Sequence, residues 1–155
     1  MNIPIPSYDI AVISGDLVEV QIGQNIFVIA EPSIIDDAVF ELDILERSIQ
    51  EFEKYTGVPY VWGSYKIAIL LPNYPMGAME HPLLTTATPF ILVGDKSMVW
   101  MANHEVSHSW TGNLVTCMNF DNLWLNEGFD VFVERKISKI LYGEAVTKMT
   151  SKIWN

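Results

Sequence analysis

His104, Glu105 and His108 stand in the pattern H-E-x-x-H, a spacing with a chemical use when the segment is helical. Residues i and i+4 share one helix face, their Cβ atoms about 5–6 Å apart. Two imidazoles there can share one ion through nitrogen bonds of about 2.0–2.1 Å. Glu105, next to the first histidine, can reach water at that ion and act as general base. Alone, such a pentapeptide carries a false-positive risk. A second element lifts it. Nineteen residues after His108 comes Glu127, inside Trp124-Leu125-Asn126-Glu127-Gly128-Phe129. A catalytic zinc usually has three protein ligands and one open position, and two histidines with a glutamate are one known set. Trp124, Leu125 and Phe129 predict a buried segment, where a carboxylate needs a partner. His104, His108 and Glu127 are the predicted ligands of one zinc ion per chain.

The surrounding residues extend this reading. Gly128 inside a helix costs roughly 1 kcal/mol relative to alanine, which predicts close approach to the H-E-x-x-H helix. Asn126 and Glu134 are candidates for the groups that hold metal-bound histidines from behind. Glu134 lies two turns from Glu127 on the same face, although an ion pair with Arg135 or Lys136 is an equal alternative. The chemistry implied is hydrolysis: Glu105 takes a proton from water attacking an amide carbonyl and passes it to the leaving amine.

These side chains need elements to hold them. Tyr8–Ile13, Leu17–Ile22 and Ile26–Ala30 read as strands separated by turn residues. Pro32-Ser33 opens a helix with Ser33 as N-cap and Asp36 and Asp37 in its first turn; it stops before Gly57-Val58-Pro59. Tyr65–Leu71 reads as a buried strand, Met76–Thr86 as holding an edge strand because of Pro82, and Pro89–Val93 as a further strand. Helices are predicted over 96–111, closed by Gly112, over 121–142, with Asp121 as N-cap and Gly143 as closing glycine, and from Glu144 to the end. Trp110, Trp124, Phe129 and Phe132 are expected in the core, and Cys117 as a small buried residue.

Composition sets outer limits. The chain has 155 residues, half of them apolar, and a formal charge of −10, a poor match for nucleic acid. No stretch approaches the roughly 18 apolar residues of a membrane span. The first residues lack a secretory-signal pattern. One cysteine excludes an internal disulfide, so a reducing, cytoplasmic location is expected.

Three strings together resemble the M1-type zinc aminopeptidases: Gly77-Ala78-Met79-Glu80-His81, His104-Glu105-Val106-Ser107-His108 and Trp124-Leu125-Asn126-Glu127-Gly128-Phe129. Pro59-Tyr60-Val61-Trp62-Gly63, Gly94-Asp95-Lys96-Ser97 and His108–Thr116 are most similar to the leukotriene A4 hydrolase branch. The resemblance implies an α+β chain: residues 1–30 as the last strands of an N-terminal β domain, and 31–155 as the first half of a thermolysin-like metallopeptidase domain, a small mixed sheet followed by helices. It implies an aminopeptidase acting on peptides with a free N-terminus, with epoxide hydrolysis a second activity of that branch. It gives Glu80 the task of binding the substrate's α-amino group, with Gly77, Ala78 and Met79 lining the substrate. It also implies that an oxyanion-stabilising tyrosine and a helical C-terminal domain lie beyond Asn155. The alternative is a catalytically incomplete or inactive zinc-binding relative. The chain departs from the family pattern at His81, where the motif has asparagine, at Phe132, where many members have tyrosine, and at Asp130, unusual inside that helix.

Overall fold

In the computed structural model, residues 3–153 are described. The strands are β1 (Val18–Gly23), β2 (Ile26–Ala30), β3 (Tyr65–Ile69), β4 (Ala78–Met79) and β5 (Thr85–Ala87). They form one sheet in the order β1-β2-β3-β5-β4. β1 and β4 pair antiparallel at the two edges, while β2, β3 and β5 run parallel at the centre. The helices are α1 (Ile35–Leu42), α2 (Leu45–Thr56), α3 (Val99–His108), α4 (Leu123–Tyr142) and α5 (Glu144–Ile153). Strand and helix faces meet in one core that includes Val28, Ile67 and Ile69 from the sheet, Leu42, Phe52 and Val106 from the first three helices, and Ile137 from α4. Parallel strands buried on both faces explain the apolar run Ile67–Ile69 of β3. The fold is the α+β arrangement the sequence predicts, a small mixed sheet followed by helices. The sheet runs without a break across residue 30: Ile26–Ile29 of β2 pair with Tyr65–Ala68 of β3. No helix among the described residues is long and apolar enough to cross a membrane.

Several local expectations are corrected. Tyr8–Ile13 is not a strand. Ser7–Asp9 is a short 3-10 turn, and Ile10 and Val12 stand in solvent. Pro89–Ile91 is also 3-10. Pro89 has no N–H for a ladder, and Thr88 Oγ1 accepts from Phe90 N–H instead. The predicted helix from Ser33 is two helices meeting at Asp43–Ile44, and Ser33 does not cap it. Asp121 lies in a 3-10 turn, Phe120–Asn122, and no side chain caps α4. α2 stops before Gly57, as predicted, and Gly57 closes it in the left-handed region at φ 70°.

The entry to α3 is fixed by a buried carboxylate. Glu41 of α1, 1% exposed, accepts from the backbone N–H groups of Gly94 and Lys96. Lys96 Nζ then pairs with Asp43 at 2.7 Å. The exit from α3 is held by two indoles. Trp62 Nε1–H donates to Ser109 O at 3.0 Å, and Trp110 Nε1–H donates to Val58 O at 2.9 Å. Trp110 stacks on Phe52 with ring centroids 5.6 Å apart. Both ends of the H-E-x-x-H helix are thereby tied to the α1–α2 layer.

Candidate metal centre

α3 carries His104, Glu105 and His108, and α4, packed against it, carries Glu127. The structure brings the four together. His104 Nε2 and His108 Nε2 are 3.2 Å apart, and each lies 3.6 Å from Glu127 Oε2. Donors set tetrahedrally at about 2.0–2.1 Å from one ion are separated by roughly 3.3 Å. The triangle therefore has the dimensions of three corners of a zinc-sized tetrahedron.

The opposite ring nitrogens decide what those three atoms can do. His108 Nδ1 lies 3.1 Å from Thr111 O, a carbonyl that can only accept, so Nδ1 carries the hydrogen. His104 Nδ1 faces two carboxylates, Asp130 Oδ2 at 2.8 Å and Glu134 Oε2 at 3.3 Å. In the neutral rings both Nε2 atoms are then left as lone pairs. Two imidazole lone pairs and a carboxylate oxygen converge, an arrangement that calls for a cation.

The carboxylates around the site make a field that favours positive charge there. Burial disfavours a charged ring at His104, but Asp130, Glu127 and Glu134 outweigh it and raise its pKa. Burial acts likewise at His108, where Glu127, Asp130 and Glu80 push it up to about 9. The two histidines hold the Glu127 carboxyl below the usual range. Glu105 is pushed up to about 8 by burial, against the pull of both imidazoles. Its Oε2 is buried with no hydrogen-bond partner.

The turn after α3 explains Gly112. It is not the left-handed closing residue predicted; its φ is 171°. A Cβ there would lie 2.8 Å from His108 Nδ1, so the missing side chain makes room for the ring. Gly128, by contrast, faces open space and does not mediate approach of α4 to α3.

Gly77, Ala78, Met79 and Glu80 line the same cleft, of about 300 Å³, as His104, Glu105, His108 and Glu127. Edge strand β4 forms this wall. Glu80 Oε1 reaches to 3.9 Å from His108 Nδ1, and its backbone carbonyl accepts from Asn113 Nδ2 at 2.7 Å. His81 Nδ1 donates to Asp9 O at 3.2 Å.

Other expectations fare differently. Glu134 sits against His104, the first of its two alternatives. Asn126 turns its Oδ1 to Cys117 N–H at 3.0 Å, serving the loop before α4. Glu127 is not buried: its side chain is 47% exposed. Trp124, Phe129 and Phe132 are exposed as well, and of the four aromatics expected in the core only Trp110 is there. Apolar identity marks a face of α4 but not which way that face turns.

Neither Cys117 nor His81 joins a metal-sized cluster among the described residues, so the set remains three ligands. Sequence reasoning missed Asn113, Thr111 and Asp130. Asp130 could have been found: Glu127, Asp130 and Glu134 fall at i, i+3 and i+7, one acidic face of one helix.

The chain is 48% identical over 145 residues to "Aminopeptidase B" of Homo sapiens, covering 93% of this chain and 22% of that protein. It is 46% identical over 143 residues to "Leukotriene A-4 hydrolase" of Xenopus laevis, covering 92% and 23%. Among solved structures it resembles native yeast LTA4 hydrolase with a TM-score of 0.92 at 39% identity, over 98% of this chain and 24% of that one. The chain thus spans under a quarter of the length of each of these relatives. Residues 40–155 match the Peptidase family M1 domain, and the chain belongs to that family.

Proposed function

We propose that this chain carries the zinc-binding part of an aminopeptidase active site. The observation that carries the reading is the convergence of His104 Nε2, His108 Nε2 and Glu127 Oε2 within 3.2–3.6 Å of one another. These three residues hold zinc, the metal on which the family in general depends. Zinc supplies Lewis acidity, lowering the pKa of water to about 7 and polarising a carbonyl. Glu105 is the general base, its unpartnered carboxylate oxygen in the same cleft as the ligands. It accepts the proton of the attacking water and delivers it to the leaving amine. Glu80 accepts hydrogen bonds from the substrate's terminal ammonium, which selects peptides with a free N-terminus. Gly77 and, on the edge strand, Ala78 and Met79 offer backbone groups to an extended peptide.

Epoxide hydrolysis is a second reading, favoured by the likeness to leukotriene A-4 hydrolase. The test of the first is Glu105→Gln in the full-length protein. Zinc content should stay at one per chain while turnover of free-N-terminal peptides falls at least about a hundredfold, the usual contribution of a general base. Undiminished turnover removes Glu105 from its assigned role. Parallel assays on N-blocked peptides and on an epoxide separate the substrate classes.

A further inference from the structure

We infer that Asp130 is a positioning residue for the metal centre proposed above, its carboxylate holding both histidine rings from behind so that their Nε2 atoms stay convergent. The inference rests on that reading of the site. Asp130 is fully buried. Its Oδ2 lies at ion-pair distance, 2.8 Å, from His104 Nδ1 and makes no hydrogen bond among the described residues. Its Oδ1 lies 3.5 Å from His108 Nδ1 and accepts from Thr111 Oγ1 at 3.1 Å. The backbone carbonyl of that threonine accepts from His108 Nδ1. One side chain therefore reaches His104 directly and His108 both directly and through Thr111.

A carboxylate in this place needs a reason. Burying an unpaired charge costs several kcal/mol, and no lysine or arginine pairs with Asp130 among the described residues. Among the described residues, the two imidazoles are the groups at ion-pair distance from it. Glu134 touches His104 alone and keeps 12% of its side chain exposed, so it does not duplicate this role. The Asp130 backbone carbonyl accepts from Ser107 Oγ at 3.4 Å, which docks α4 on α3 at the same point. A carboxylate behind a ligating histidine fixes its tautomer and orientation and raises its basicity. Asp130 does this for two ligands at once.

The experiment compares wild type with Asp130→Asn and Asp130→Ala in the full-length protein. Zinc affinity is read by chelator competition, the ligand field by the visible spectrum of the cobalt-substituted protein, and folding by the metal-free melting temperature. The asparagine variant should keep its metal-free melting temperature, bind zinc about 10–100-fold more weakly and show a shifted cobalt band, with kcat lowered and KM for peptide unchanged. Wild-type affinity and cobalt spectrum in both variants overturn the inference. So does a lowered melting temperature with undiminished zinc affinity, which marks a purely structural role. Two zinc ions in wild type falling to one in Asp130→Asn overturn it too, because Asp130 would then be a ligand of a second ion with Glu134. His104→Ala is the separate control: if it binds zinc like wild type, the metal centre itself is refuted, whatever Asp130 does.

Discussion

Two imidazoles offer four ring nitrogens, and this chain occupies the two that face away from the cleft. Thr111 O holds one Nδ1, and Asp130 with Glu134 holds the other. The tautomer of each ring follows from what stands behind it, so small changes there act on the ion. Gly112→Ala puts a methyl group 2.8 Å from His108 Nδ1. The ring or the turn must move, at a cost of about 1–3 kcal/mol by overpacking. Chemical denaturation should show that loss, and zinc affinity should fall with it. At this scale much was legible. The H-E-x-x-H spacing and the glutamate beyond it name three converging side chains because helical periodicity is a local property. The argument for Glu127 from burial was mistaken, since its neighbours Trp124 and Phe129 face solvent. Asp130 was legible only as part of one acidic face with Glu127 and Glu134; its partners lie 19 and more residues away and meet it only after α3 and α4 pack.

Helix α3 is positioned by contacts at both ends. Glu41 receives two backbone N–H groups at the entry, and the indoles of Trp62 and Trp110 secure the exit. Glu41→Gln replaces a charged acceptor with an amide whose NH₂ faces another donor. Charge-assisted bonds of this kind are worth about 1.5–3 kcal/mol each. We expect the urea midpoint to drop by an amount equivalent to about 2 kcal/mol at unchanged slope, with residual zinc binding intact in the folded fraction. Elements with strong periodicity and clear stops, such as β2, β3 and α4, stand close to where the pattern put them. The misassigned ones lack a partner or a donor. Tyr8–Ile13 has strand composition but pairs with neither edge strand, and Pro89 cannot complete a ladder. Neither fact can be seen from residue type along one segment.

Across the whole molecule, the proposed ion would join α3 to α4, two helices whose shared core also reaches the sheet through Val106 and Ile137. A ligand that binds only the folded state stabilises it by about 4 kcal/mol when present at a thousand times its dissociation constant. Dialysis of the full-length protein against a chelator should therefore lower its melting temperature. Readdition of zinc should restore it, and His104→Ala should abolish the difference. An unchanged melting curve after verified metal removal would count against a bound ion that bridges the helices. The outward aromatics of α4 have a colloidal consequence. Copies of this chain repel one another through an excess of ten negative charges, yet present Trp124, Phe129 and Phe132 to any neighbour that comes near. Added salt weakens the repulsion and leaves the adhesive rings untouched, so clumping should grow with ionic strength instead of receding.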